Sequence, residues 1–541
     1  MRPPARSTRS PRRVVYRRGA LHGAKDPAAT AMCVEADRIV WIGRDDGIGA
    51  YADGADEIVD LEHRLVTPAF VDAHVHLSET GLRMSGLDLA GVRHKRELLD
   101  AVSAYRQART GGDVILGFGW DETDWTDPAL PTLDELERAA TGAAVYLARV
   151  DVHSALVSGR AISPRVRQAA GWDGTARVER DAHHLVREAV QALLPRSQRR
   201  DAIRVALEAA ARAGIGCVHE MATPGLGGHD DLQLVDEVTK DLPTPEVVTY
   251  WGEHSRGGGV ERARALGCAG AAGDLCVDGA FGSRTAALRE PYTDRRGHTG
   301  HLYLDPDAIA EHVVACTREG LQAGFHCIGD AATAAVAEGF RLAEKRIGQE
   351  PLVAARHRLE HVEAVDRETI ATFASYGVVV SGQPAFDAAW GGTDGMYAKR
   401  LGAERALATN PWSSFAAAGI PLAFGSDSPV TPFDPWGGVR AAVFHHHEPA
   451  RLDVDTALQA YTRGGWFAAG RDPATHGVLQ EGAMATFAVW NIEGPGLPDL
   501  TPGRPLPRCV RTVVAGKTIH AGDSGHAGDS GHAGDSGREA E

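Results

Sequence analysis

From about residue 200 to residue 430 the chain repeats one pattern, a helical segment followed by a turn and a short apolar run with strand character. Ala202 to Ala213 is a helix by its periodicity and its Ala, Leu and Arg content, with Asp201 placed to cap its start and Gly214 to stop it. Ile215 to Glu220 follows as a strand. Asp307 to Gly320 is a second helix, which leads into a strand ending at His326, and Asp330 can cap the next. Thr369 to Tyr376 precedes a strand from Val378 to Ser381. Repeated strand and helix units imply a parallel sheet of the α/β class, and a closed (β/α)8 TIM barrel is its natural form.

Chemistry-bearing residues sit where these runs end. In Phe70-Val-Asp-Ala-His-Val-His-Leu77, His74 and His76 are two apart, so a strand projects both imidazoles from one face. One such pair in a chain of 24 histidines is a weak signal. Its company strengthens it. His326 closes Ala323-Gly-Phe-His, His361 closes His357-Arg-Leu-Glu-His, and Asp427 lies just past Pro421-Leu-Ala-Phe-Gly-Ser. Catalytic groups of α/β barrels collect at the carboxyl-terminal strand ends. Imidazole and carboxylate donors suit zinc, and also accommodate iron, manganese or nickel.

Composition narrows the partners. A formal charge of -15 argues against nucleic acid or an anionic membrane as the main partner, and 43% apolar residues can bury a large core. No apolar run reaches the ~18–20 residues of a membrane span. Seven cysteines, an odd number without a C-x-x-C pair, predict reduced thiols and a cytoplasmic setting. A small-molecule substrate and a chain able to form a homo-oligomer are the expectation.

Both ends look appended. Residues 1–19 hold seven arginines and no acid, with no apolar stretch after them to make a secretory signal, and 1–13 are expected to be a disordered basic extension. From His520 to residue 541 the chain repeats His-Ala-Gly-Asp-Ser-Gly, a composition that buries too little surface to offset its ordering entropy. Segments 14–66 and 470–519 are strand-rich, and 67–469 holds the barrel, interrupted at about 78–200 by a long insertion over its mouth.

This order of motifs resembles the amidohydrolase superfamily, and within it amidohydrolase family 3, with exoenzyme-regulatory-protein-like and N-substituted formamide deformylase-like hydrolases. The resemblance runs from about Val14 to His520. It is carried by Leu65-Val-Thr-Pro-Ala-Phe-Val-Asp-Ala-His-Val-His76, Gly117-Phe-Gly-Trp-Asp-Glu122, Asp278-Gly-Ala-Phe-Gly-Ser-Arg-Thr-Ala-Ala-Leu288, Glu360-His361 and Gly425-Ser-Asp427. It implies that the two strand-rich flanks form a small composite β-sandwich. It also implies that His74, His76, His326 and Asp427 are metal ligands, with His361 a ligand or a partner of the attacking water. Asp427 would then be the general base and later the proton donor, and His361 a stabiliser of the oxyanion. The implied activity is hydrolysis of a non-peptide carbon–nitrogen bond, such as an N-acyl or N-formyl amide. Ester or lactone hydrolysis, and a non-catalytic barrel serving as a binding or assembly module, are the alternatives.

One departure stands out. Many relatives place a lysine, carbamylated to bridge two metals, four residues before the motif that reads Asp278-Gly279 here. This chain has Asp274 there, and Lys25, Lys95, Lys240, Lys345, Lys399 and Lys517 all lie elsewhere. A single zinc ion is therefore favoured over two, with Asp274 or Glu220 as the bridging carboxylate of the two-ion alternative. Arg284, Trp120 and Asp121 are candidates for substrate contact, and Asp151 to Leu156 is another or a helix cap. His219 is a ligand or a supporting histidine, and His445-His-His447 reads as a solvated loop.

Overall fold

The computed structural model describes residues 12–108, 114–224, 228–494 and 496–522. Eight parallel strands form the barrel: β1 (Phe70–Val75), β2 (Ile215–Ala222), β3 (Glu246–Trp251), β4 (Gly270–Ala271), β5 (Gln322–Cys327), β6 (Arg358–His361), β7 (Val379–Gly382) and β8 (Leu422–Phe424). Neighbours pair in sequence order, and a parallel bridge between Val75 and Ser428 joins the two ends of the sheet. Apolar side chains from the strands and the covering helices make one continuous core, in which Phe70 meets Trp436, Tyr461 and Trp490 edge-on.

Local chemistry sets the helix ends. Asp305 caps Pro306–Arg318 and Asp366 caps Arg367–Ser375, each accepting a backbone N–H three residues on. The helix expected from Ala202 begins earlier, at Arg196, so Asp201 lies inside it. Its polar first turns lack apolar periodicity and are held by ion pairs, Arg196 with Glu237 and Arg199 with Asp231. Asp330 opens Asp330–Ile347 rather than capping it, and its carboxylate accepts Arg289 N–H instead.

The flanks come together as two sheets. One orders Arg38–Gly43, Ala31–Glu35, Arg13–Arg17 and Glu57–Asp60, so Arg13 of the expected basic extension already starts a strand. The other orders Ala20–Leu21, Arg64–Pro68, Phe487–Glu493, Cys509–Val514 and Lys517–Ala521. Val14, Tyr16, Met32, Val66, Phe487 and Val513 share the core between them. Arg64–Pro68 pairs antiparallel with Phe487–Glu493, which joins the two chain ends two residues before β1. Residues 1–11 and most of the His-Ala-Gly-Asp-Ser-Gly repeats lie outside the described residues.

Within 78–200 a separate five-stranded sheet orders Arg177–Glu179, Ser154–Val157, Ala144–Arg149, Val114–Trp120 and Leu87–Asp88. The helix Arg180–Gln191 lies against it. The helix Leu77–Ser85, directly after β1, packs on Arg196–Arg212 so closely that a Cβ on Gly81 would stand 1.9 Å from the Ala202 carbonyl oxygen. Among the described residues no helix is long and apolar enough to cross a membrane. All seven cysteines are free thiols.

Candidate metal centre

Strands β1, β5 and β6 and the loops after β4 and β8 bring His74, His76, Asp274, His326, His361 and Asp427 to the carboxyl-terminal end of the barrel. Asp427 Oδ1 lies 3.4 Å from His74 Nε2 and 3.3 Å from His76 Nε2. Asp274 spans three imidazoles: Oδ1 is 3.4 Å from His74 Nε2 and 3.7 Å from His326 Nδ1, and Oδ2 is 3.2 Å from His76 Nε2. A tetrahedral ion with bonds of ~2.0–2.1 Å has ligand-to-ligand edges of ~3.3–3.4 Å, so these separations fit one. Two overlapping groups result, His74–His76–Asp427 and His74–Asp274–His361, with donor atoms within 4.8 Å of one another in each.

Each imidazole is turned by what holds its other nitrogen. His74 Nδ1 bonds Glu360 Oε2 at 2.9 Å, His361 Nδ1 bonds Gln383 Oε1 at 2.7 Å, and His326 Nε2 faces the Gly279 carbonyl at 3.2 Å. His74 Nε2 and His361 Nε2 are buried without a hydrogen-bond partner, as is Asp274 Oδ1. Acceptor-held imidazoles that aim a lone pair inward are the usual support of a metal site. The donor set fits a divalent cation.

The electrostatics agree. Burial works against a charged His76, yet Asp274 and Asp427 outweigh it and raise its pKa to about 10. Burial would also raise Asp274, but His74 and His76 hold it well below the usual carboxylate value. Two carboxylates in so small a space demand positive charge, from imidazolium protons or from a metal. His361 behaves oppositely: burial first, and His326 second, push it down to about 3, so it offers a neutral lone pair.

Buried hydrogen bonds fix the backbone here. Asp72 Oδ1 accepts Ser426 N–H at 2.9 Å and His74 N–H at 3.3 Å, tying β1 to the loop that carries Asp427. Gly425 is required there, since a Cβ would stand 2.7 Å from both Asp72 Oδ1 and His74 N. Asp278 accepts from Ala287, Ile328 and Gly329 N–H groups and so orders the loop after His326. His361 and Asp427 have φ of 70° and 54°, strained backbone of the kind that collects at functional sites.

Arg358 and Glu360, fully buried on β6, form the support that sequence reading left without a role. Arg358 Nε and Nη2 donate to Glu360 at 2.6 and 3.0 Å, and Nη2 also reaches the Ala73 carbonyl at 2.7 Å. Burial would raise the Glu360 carboxyl, but Arg358 and His74 hold it far below its ordinary value. The available signal was two opposite charges, two residues apart, inside an apolar strand. His219 Nδ1 faces Arg358 Nη1 at 3.1 Å, a supporting position.

The other expected residues are dispersed. Glu220 accepts Leu77 N–H at 2.8 Å, and burial raises its carboxyl to about 7. Trp120 is buried in the core of the insertion, its indole N–H on the Leu147 carbonyl, and so is not free to line the site. Asp121 bonds the buried Arg149. Arg284 pairs with Asp294 through both nitrogens and lines a separate cavity of about 910 Å³ with Trp172, Arg295 and His301. Asp151 accepts from Arg149 and Ser283, while the His153 ring stands 5.1 Å from that of His326. His445 is fully buried beside Asp387 rather than solvated, because the adjoining helix Pro384–Trp390 supplies that carboxylate. His76 and Asp274 line a cavity of about 320 Å³ together with His153, His184 and Arg187.

Comparison with known proteins fits this arrangement. The model of the amidohydrolase family matches residues 57–520, and the chain belongs to that family. It is 27% identical to YtcJ of Bacillus subtilis (strain 168) over 477 residues, 81% of this chain and 86% of YtcJ. It is 21% identical to an N-substituted formamide deformylase of Arthrobacter pascens over 501 residues, 86% of this chain and 90% of that enzyme. A crystal structure of an uncharacterised metal-dependent hydrolase from Pyrococcus furiosus superposes with a TM-score of 0.69 at 26% identity, covering 88% of this chain and 98% of the other.

Proposed function

We propose that the protein is a metal-dependent hydrolase of a carbon–nitrogen bond other than a peptide bond, in an N-acyl or N-formyl amide or a related cyclic amide. The observation that carries this reading is the convergence of inward-facing imidazole nitrogens with Asp274 and Asp427, two of whose members, His76 and Asp274, also line a cavity of about 320 Å³. Similarity to a formamide deformylase over most of the chain supports an amide as the substrate.

A bound divalent cation, zinc by the chemistry of its ligands, would polarise the substrate carbonyl and lower the pKa of water to ~7. His74, His76 and Asp427 would hold one ion, and His326 and His361 a second, with Asp274 between them. The sequence favours one ion; the reach of Asp274 to three imidazoles supports two. Asp427 Oδ1 faces His74 and His76, which leaves Oδ2 to take a proton from the attacking water and pass it to the leaving nitrogen. His361 donates an Nδ1–H hydrogen bond to Gln383 Oε1, so its Nε2 lone pair suits a ligand better than an oxyanion donor.

Zinc-loaded protein should cleave N-formyl or N-acetyl amines in preference to matched esters and lactones. Asp427→Asn should abolish turnover while leaving the thermal midpoint unchanged. Cleavage of esters alone would replace the amide reading, and absence of both turnover and retained zinc would leave a binding barrel. Asp274→Asn should lower the metal content from two ions per chain to one, measured by elemental analysis; unchanged content would remove Asp274 from the centre.

A further inference from the structure

Arg187, on the helix Arg180–Gln191, is 9% exposed and lines the cavity that has His76 and Asp274 at its floor. Among the described residues no carboxylate lies within the 4.0 Å of an ion pair with its guanidinium. Its guanidinium makes a weak contact, Nη2 to His184 Nδ1 at 3.4 Å, and Nε is buried without a partner. His184 supplies no compensating charge, since an imidazole is neutral or positive, and burial first and Arg187 second push its pKa down to about 3 and keep it neutral. Asp181 and Glu79 also line the cavity, Asp181 at its exposed rim.

A buried cation without a counter-charge is costly, and such groups are ordinarily paired. The other buried arginines among the described residues follow that rule: Arg149 meets Asp121, Glu122 and Asp151, Arg358 meets Glu360, and Arg400 meets Asp294. Arg187 departs from it, and does so facing the metal-ligating groups. Its planar fork matches a carboxylate through two parallel hydrogen bonds. His184, three residues before it on the same helix face, touches the guanidinium and limits its rotation. Tyr146, Val152 and Leu275 give the same cavity apolar wall, so the space between the metal ligands and the arginine suits a short side chain.

We propose that Arg187 binds a carboxylate on the substrate, so that the amide opened at the metal centre belongs to an acidic molecule of the N-acylated amino acid class. This rests on the amide-hydrolase reading above and narrows it.

The test uses the zinc-loaded full chain and a matched panel: N-formyl, N-acetyl and N-benzoyl derivatives of glycine and leucine, each as free acid and as primary amide. Binding is measured by calorimetry and turnover by amine release. The free acids should bind roughly tenfold to a hundredfold more tightly than the amides. Arg187→Met should erase that difference, and Arg187→Lys should keep part of it at a thermal midpoint matching the parent. Equal binding of acids and amides, including binding of neither, would overturn the proposal, as would an undiminished preference in folded Arg187→Met. A preference for acids without turnover of any compound would leave Arg187 as the anion site and refute the amide-hydrolase reading instead.

Discussion

Glu360 has no exposed surface and three tasks: it neutralises Arg358, accepts the Nδ1 proton of His74, and thereby turns His74 Nε2 toward the centre. Losing such a support typically weakens metal binding roughly tenfold to a hundredfold. Glu360→Gln is expected to do so, read as faster loss of zinc to a chelator; unchanged affinity would show that His74 needs no orienting acceptor. The gathering of these side chains was legible in the sequence because strand geometry alone puts His74 and His76 on one side, and because His326, His361 and Asp427 close apolar runs. Asp274 was legible as a substitution but not as a position, since β4 is only two residues long and a loop delivers it. Arg358 and Glu360 were hidden, because their value depends on an inner barrel surface that only closure creates. Arg187 was hidden for another reason: in sequence it is one more arginine on the helix Arg180–Gln191, with no sign of the cavity it faces.

The inserted sheet is organised around Arg149, fully buried among Asp121, Glu122 and Asp151. Trp120 is a substrate-contact candidate by sequence, but the strand Val114–Trp120 turns it into the sheet's own core, beside Arg149. Burial would raise the Glu122 carboxyl, yet Arg149 and Arg177 outweigh it and hold its pKa below the ordinary value. The unfolded chain therefore binds the proton more readily than the folded one. The stabilisation is fully present above the unfolded pKa of ~4.3 and is lost as pH falls through the lower folded value. Glu122→Gln should consequently be less stable near neutrality and show a flatter fall of thermal midpoint below about pH 5. Parallel acid limbs for the two proteins would contradict this role. Because the insertion also carries His153, His184 and Arg187, its acid sensitivity bears on the cavity wall as well as on the fold.

At the scale of the molecule, the barrel was readable from alternating strands and helices, whereas the partnership of the flanks was implied only by the family resemblance. Periodicity marks each flank as strand-rich but carries no information about which distant strand it will pair with. In the structure Arg64–Pro68 pairs with Phe487–Glu493, and Trp490 donates its indole N–H to Thr67 Oγ1 at 2.9 Å while packing on Phe70. Deleting the chain from Phe487 onward should therefore cost both stability and zinc retention, with His74 and His76 still present. A truncated chain that kept its metal and its thermal midpoint would show that β1 holds its register unaided. The same pairing sets an order of events on the ribosome. His74 and His76 emerge long before the strand that steadies the segment leading into them, Phe487–Glu493. A nascent chain consequently carries the proposed centre unfinished until Phe487–Glu493 has emerged and paired.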